Sequence, residues 1–366
     1  MAHDVFLVAP PGLETLVQAE AIENGFTNAA VVPGGVTFTG SIADMWRANI
    51  VLRGPARVLM RIAEFRAMHL AQLDKRARKV DWGQFLRPDV PVHVEAVCRK
   101  SKIYHHKGAA QRISRAINET LGCEVSADAP IKLKVRIEDD LCTVSIDTSG
   151  DALHIRGHKT FTGKAPIRES LAALCLRASG FTGTEPVIDP MCGSGTLVLE
   201  AASIATHQIP GRSREFAFEH LANVDVDQIN SLRQSKSAAI EHKFMGFDRD
   251  QGAIAGCKSN AEKSGLGDIT EFTNQSISDL QRPNGPPGLI IVNPPYGGRI
   301  GNKKQLFSLY GSLGQTLKTR FAGWRVALIT SEPGLAKATG LPWVDQMPPF
   351  PNGGIRVSLY HTKPLG

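Results

Sequence analysis

The chain has 366 residues, 42% hydrophobic and 21% charged, with a net charge of +7. This describes an ordinary globular protein with a sizeable core, too long for one small domain. No run of about 18 apolar residues predicts a membrane span. The opening MAHDVFLVAPPGLE lacks the basic n-region and long apolar stretch of a secretory signal, so a cytoplasmic location is expected.

In chain order, VFLVAP (5–10) reads as a strand and GLETLVQAEAIENGF (12–26) as an amphipathic helix ending at Gly25. AAVVPGGVTFTG (29–40) predicts two short strands around a Pro-Gly-Gly turn, and SIADMWRANIVL (41–52) a helix with Ser41 as N-cap. VLMRIAEF (58–65) and VPVHVEAV (90–97) have strand character, with a charged helical stretch between them. KGAAQRISRAINETLG (107–122) is a helix closed by Gly122, and 131–150 alternates with period two and turns at Glu138–Asp140, as a hairpin does.

From about residue 160 the pattern changes. EPVIDP (185–190), FMGFD (244–248), GLIIVNPP (288–295) and WRVALIT (324–330) are near-continuous apolar runs separated by helical stretches, the signature of a parallel sheet buried on both faces. The segment 206–242 is long for a crossover and is expected to carry extra helices. The fold class is therefore α/β, with two smaller α+β regions ahead of a doubly covered sheet.

Charge is unevenly spread. Between Arg53 and Arg115 there are 15 Lys plus Arg against 5 Asp plus Glu, an excess of +10, with His69, His93, His105 and His106 among them. Such a stretch suits a polyanion and gives affinity without sequence specificity. The six cysteines (98, 123, 142, 175, 192, 257) show no CxxC spacing and no His cluster completes a zinc site, so reduced core thiols and no metal are expected.

VIDPMCGSGTLVLEAASIA (187–205) reads as strand, glycine turn and helix. Gly193 and Gly195 let the backbone approach a ligand at a helix start. The loop is neither a Walker A motif nor a full GxGxxG. Asp189 at the strand end would repel phosphate but suit a ligand bearing an ammonium, a sulfonium and a nucleoside, which points to S-adenosylmethionine. Asp248, closing the next strand, is placed to bind ribose hydroxyls.

NPPY (293–296) then ends a buried strand with an amide and an aromatic ring on a stiff loop. Methyl transfer from a sulfonium is an in-line displacement that needs positioning and electrostatics. The Asn293 side-chain carbonyl and the Pro294 backbone carbonyl, its direction restricted by Pro295, would accept the two N–H bonds of a planar amine. Tyr296 offers a face on which an unstacked base can lie.

DPMCGSGT, GFDRD and NPPYG in this order resemble the class I S-adenosylmethionine-dependent amino-methyltransferases. With RGHKTFTGKAPIRESLAA (156–173), PGRSREFAFEH (210–220), SKIYHHKGAAQRI (101–113) and PNGGIRVSLY (351–360), the chain resembles the THUMP-containing RNA guanine-N2 methyltransferases. That resemblance implies a ferredoxin-like region at 1–57, a THUMP RNA-binding domain at 58–158 and a Rossmann-like catalytic domain at 159–366. It implies a cofactor site of Pro166, Asp189, Pro190, Met191, Cys192, Gly193, Ser194, Gly195, Thr196, Asp248, Arg249 and Asn293. Ser276 stands where the family usually has an aspartate for the adenine amino group; Asp279 would substitute only with a shifted loop. Asn293, Pro294, Pro295 and Tyr296 would hold the target amine, with N2 of a guanosine in 23S ribosomal RNA, free or in an assembling large-subunit particle, as the expected acceptor.

Arg99, Lys100, Lys102, Tyr104, His105, Lys107 and Arg112 combine charge with ring surfaces and are the expected RNA contacts. Arg299 would meet a phosphate beside the flipped nucleotide. The alternatives are tRNA guanine-N2, nucleic-acid adenine-N6 or protein glutamine methylation, and a non-catalytic RNA-binding factor.

Overall fold

The computed structural model describes residues 2–163, 166–234, 238–297 and 303–366. The chain divides into two compact units: Met1–Ala9 with Val17–Leu153 and Arg214–Gln234, and Pro10–Leu16 with His154–Ser213 and Ser235–Gly366. No helix among the described residues is long and apolar enough to cross a membrane.

The first unit contains β1 (His3–Val8), most of α1 (Glu14–Glu23), β2 (Ala30–Val32), β3 (Gly35–Gly40), α2 (Ile42–Val51), β4 (Arg57–Arg66), α3 (Leu70–Ala77), β5 (Val92–Arg99), α4 (His106–Leu121), β6 (Ile131–Glu138) and β7 (Leu141–Asp147). Its strands form one sheet in the order β2-β3-β1-β4-β7-β6-β5, antiparallel except where β5 runs parallel to β6. β4 pairs with β1 on one side and β7 on the other, so a single ladder runs through residues 3–147.

Local chemistry sets the ends of these elements. The Ser41 hydroxyl accepts from the Asp44 N–H at 3.2 Å while the Asp44 carboxylate accepts from the Ser41 N–H at 3.0 Å, a capping box that starts α2 where the sequence placed it. Gly122, at φ 77°, closes α4. Asp139 and Asp140, at φ 49° and 63°, form the two-residue turn between β6 and β7, where aspartate tolerates the left-handed region that a type I′ hairpin requires.

The second unit holds α5 (Glu169–Ala178), β8 (Val187–Asp189) and α6 (Thr196–Ala205). The chain then contributes α7 (Val226–Arg233) to the first unit. It continues in the second with β9 (Phe244–Asp248), α8 (Gln251–Ser264), β10 (Thr270–Asn274), β11 (Leu289–Val292), α9 (Lys303–Arg320), β12 (Arg325–Thr330), α10 (Pro333–Ala338), β13 (Trp343–Gln346), β14 (Phe350–Asn352) and β15 (Ile355–Thr362). The sheet order is β10-β9-β8-β11-β12-β15-β13, with β14 paired to β15.

β8 to β12 are parallel, as the apolar runs predict; β15 pairs antiparallel with β12 and β13. The sequence reading missed this antiparallel tail. β13 is mostly exposed and β14 is only three residues long, so neither shows the continuous apolar run of a buried strand.

α9 packs Tyr310, Leu313 and Leu317 into a core with Ile290, Val292, Trp324 and Leu328. Each large apolar side chain buried there contributes roughly 1.5–3 kcal/mol. β8 lies between β9 and β11, so the strand order reverses at β8. Crevices that bind ligands in such sheets open at the carboxyl ends of the strands beside that reversal. Asp189, Asp248 and Asn293 end or follow β8, β9 and β11, three adjacent strands.

Candidate active site

A cavity of about 1430 Å³ opens at these strand ends. Of the residues singled out in the sequence, Pro166, Pro190, Met191, Gly193, Asp248, Arg249, Ser276, Asn293, Pro294, Pro295 and Tyr296 line it. Asp189, Cys192, Ser194, Gly195 and Thr196 stand behind the wall and shape the loop from within.

Asp189 is buried, and its Oδ1 accepts from the Met191 N–H at 3.1 Å, bracing the turn after β8. Burial, with the Asp248 carboxylate nearby, pushes its carboxyl up to about 8, although the Met191 bond opposes this. A cationic ligand beside it would favour the ionised form.

Gly193 (φ 53°) and Gly195 (φ 77°) both need the left-handed region. A Cβ on Gly195 would lie 3.1 Å from both Cys257 Sγ and the Phe272 ring, whereas one on Gly193 would meet nothing within 4 Å. Gly195 is therefore a packing glycine, and Gly193 leaves open backbone on the cavity wall. Its N–H donates to Asp248 Oδ2 at 3.0 Å, and Asp248 Oδ1 accepts from the Asp250 N–H at 2.9 Å. Each oxygen keeps a lone pair for a ligand hydroxyl. An open glycine backbone, a fixed carboxylate at the second strand end and a buried carboxyl behind the loop fit a nucleoside-bearing cation.

Cys192 and Cys257 face each other with sulfurs 3.9 Å apart, and the Cys257 thiol donates to the Gly193 carbonyl at 3.1 Å. The bond to Cys257 and burial hold the Cys192 thiol well above its ordinary range, so it is inert packing under the loop. Ser276 donates its hydroxyl hydrogen to Asp279 Oδ2 at 2.8 Å. Asp279 thus orients the serine while Ser276 itself lines the cavity.

At NPPY, Asn293 Oδ1 is buried and has no hydrogen-bond partner among the described residues. Burying an unsatisfied acceptor costs about 1–3 kcal/mol, and Asn293 is a cavity-lining residue, so a donor reaching this amide would relieve that cost. Pro294 is buried, and the Pro295 carbonyl accepts from the Tyr310 hydroxyl at 3.2 Å. Burial pushes the Tyr310 phenol well above its usual range and keeps it a neutral donor. The Tyr296 hydroxyl accepts from the Asn352 amide at 2.8 Å.

Sequence reasoning assigned no role to Tyr310, Asn352 or Asn260. The buried Asn260 side chain accepts from the Thr160 and Phe161 N–H groups at 3.1 Å each and donates to the Phe161 carbonyl at 3.0 Å and the Ser194 carbonyl at 3.3 Å. It ties segment 154–163, much of which lines the cavity, to the glycine loop. Phe161 lies against Gly256, where a Cβ would fall 2.2 Å from the ring. Lys159 adds a 2.9 Å ion pair to Glu169 and a 2.7 Å bond to Thr196. Lys159 and Phe161 lie in RGHKTFTG and Asn352 in PNGG, stretches that carry the family resemblance.

In the first unit, Arg99, Lys100, Lys102, Tyr104, His105 and Lys107 are exposed and Arg112 half-buried, at the end of β5 and the start of α4. The Tyr104 and His105 rings lie 4.2 Å apart. Asp140 Oδ1 accepts from the Lys102 N–H and the Ser101 hydroxyl, both at 2.8 Å, shaping the connecting turn. Arg299 lies outside the described residues.

Residues 156–357 match the family model described as the RMKL-like methyltransferase domain, and residues 4–59 match the RlmL ferredoxin-like domain. The chain is similar to the ribosomal RNA large subunit methyltransferase K/L of Syntrophotalea carbinolica, at 36% identity over 92% of this chain and 50% of that one. It is also similar to the enzyme of that name from Methylococcus capsulatus, at 33% identity over 99% of this chain and 50% of that one. It thus spans about half the length of these two relatives. The crystal structure of SMU.472 complexed with SAH superposes with a TM-score of 0.87 at 27% identity, covering 100% of this chain and 99% of that one.

Proposed function

Because the chain belongs to the RMKL-like methyltransferase domain family, we propose that it transfers the methyl group of S-adenosylmethionine to the N2 amine of a guanosine in structured RNA, 23S ribosomal RNA being the substrate. The observation that carries this reading is the buried Asn293 Oδ1, which has no partner among the described residues and shares a cavity with Gly193 and Asp248.

The cofactor's sulfonium supplies an electrophilic methyl carbon. The residues of this chain do the rest. Asp248 and the open Gly193 backbone hold the nucleoside, with Pro166, Pro190, Met191, Arg249 and Ser276 along the same wall. Ser276, its proton committed to Asp279, offers an oxygen lone pair to the adenine amino group. Asn293 Oδ1 and the Pro294 carbonyl would accept the two N–H bonds of the target amine, localising its lone pair and supporting the positive charge that develops on nitrogen until one N–H proton is lost to solvent. Tyr296 carries the flipped base.

The exposed basic cluster at Arg99–Arg112 gives the RNA its sequence-independent hold, and a THUMP assignment for 58–158 agrees with that use. The relatives' names support ribosomal over transfer RNA, and an RNA substrate suits a cytoplasmic enzyme. Tritiated S-adenosylmethionine incubated with undermethylated 23S RNA and this protein should yield N2-methylguanosine on nucleoside analysis. 6-Methyladenosine as the product would overturn the base assignment, and no incorporation would overturn the activity.

A further inference from the structure

We propose that Asn352 is a positioning residue whose side-chain amide fixes the ring of Tyr296 against the cavity. This rests on the reading of Tyr296 as the face that carries the acceptor base.

The amide N–H of Asn352 donates to the Tyr296 hydroxyl at 2.8 Å, and both residues line the cavity with Asn293. A stacked base needs an aromatic plane of defined tilt, and the Tyr296 ring, packed partly against the core, still has two side-chain bonds to turn about. A donor at the para oxygen fixes the far end.

The donor is itself rigidly mounted. Asn352 pairs with Ile355 across a two-residue turn, Gly353 and Gly354, at φ 56° and 85°. Both turn residues need the left-handed region, as in the I′ geometry that matches strand twist, and glycine adopts it without strain. β15 continues from that turn into the main sheet, where Leu359 and Tyr360 register with Ile329 and Leu328 of β12. The Tyr296 backbone is steadied independently, because the preceding Pro295 carbonyl accepts from the buried Tyr310 hydroxyl. The hairpin thus transmits the position of the sheet to a ring 56 residues away in sequence.

Four proteins test this: wild type, Tyr296→Phe, Asn352→Ala and the double variant, compared by kcat and KM for RNA methylation and by Kd for S-adenosylhomocysteine. Asn352→Ala should lower kcat about five- to tenfold, the loss of one hydrogen bond, and Tyr296→Phe by at least as much, with cofactor Kd unchanged. The double variant should be no slower than Tyr296→Phe alone; effects that multiply would overturn the coupling. Asn352→Leu keeps roughly the volume but can neither donate nor accept, so a wild-type kcat for it would also count against the proposal.

A second arm needs no substrate. The chain has four tyrosines. In protein carrying 3-fluorotyrosine, the Tyr296 fluorine resonance, assigned by its loss in Tyr296→Phe, should shift in Asn352→Ala while the other three stay. An unmoved Tyr296 resonance would sink the tether. A wild-type protein that fails to methylate RNA but shows the shift would reject the functional reading and uphold the tether.

Discussion

The first unit displays its functional candidates; the second hides them. Tyr104 is 72% exposed, in a cluster of lysine and arginine side chains at the end of β5 and the start of α4. In the second unit the candidate site atoms, Asn293 Oδ1 and the Asp189 carboxyl, are buried. Exposed charges act in water, where each contributes little and salt screens it. Buried acceptors act at low dielectric, where one misplaced atom matters far more. On the proposed function, affinity would be spread over many replaceable residues and chemistry concentrated in few.

Substitutions can break that contrast. Asn293→Ala should lower kcat roughly 10²- to 10³-fold, the usual cost of removing one positioned polar group. Its melting temperature should not drop, because an unsatisfied buried acceptor is removed. A variant that methylates at the wild-type rate would end the mechanism. Tyr310→Phe should cost about tenfold in kcat by releasing the Pro295 carbonyl, with S-adenosylhomocysteine affinity unchanged in calorimetry.

Asp189 sharpens the comparison through pH. Its folded value, about 8, lies above the ordinary 3.8, so the folded chain keeps a proton that the unfolded chain releases. Its contribution to stability is full below 3.8, falls as pH rises and is gone above about 8. Between pH 5 and 8 the ligand-free wild type should lose at least about 3 °C more in Tm than Asp189→Asn, by scanning calorimetry. Parallel curves would mean that the carboxyl is ionised throughout. The smallest effect belongs to the first unit. Lys107→Ala should weaken RNA binding only a few-fold and reduce the slope of log K against log salt by about 0.7–0.9, leaving kcat at saturating RNA unchanged.

The same contrast explains what was legible. Leu289–Val292 is buried at every position and the Asn-Pro-Pro that follows is incompatible with a ladder, so β11 and the loop after it could be read from residue types alone. Ser41 and Gly122 mark helix ends because their reasons are local. Tyr310, Asn352 and Asn260 could not be read this way. Each acts through one or two bonds to residues distant in sequence, and a lone tyrosine on a helix or an asparagine before two glycines carries no periodic signal. Nor could the sequence show that residues 214–234 belong with the first unit. There Phe216 and Phe218 are buried and stacked 5.1 Å apart, and the Arg214 guanidinium donates to the carbonyls of Ser149, Asp151 and Ala152.

Domains usually fold in the order in which they leave the ribosome. Here the first unit lacks Phe216, Phe218 and α7 until synthesis has passed residue 234, after α5, β8 and α6 have already emerged. The nascent chain then carries all seven strands of the first sheet without Phe216, Phe218 and α7, while the glycine loop of the second unit waits for β9. Completion of the two units is therefore expected to be interleaved in time, and a pause in translation just before residue 214 should leave both unfinished.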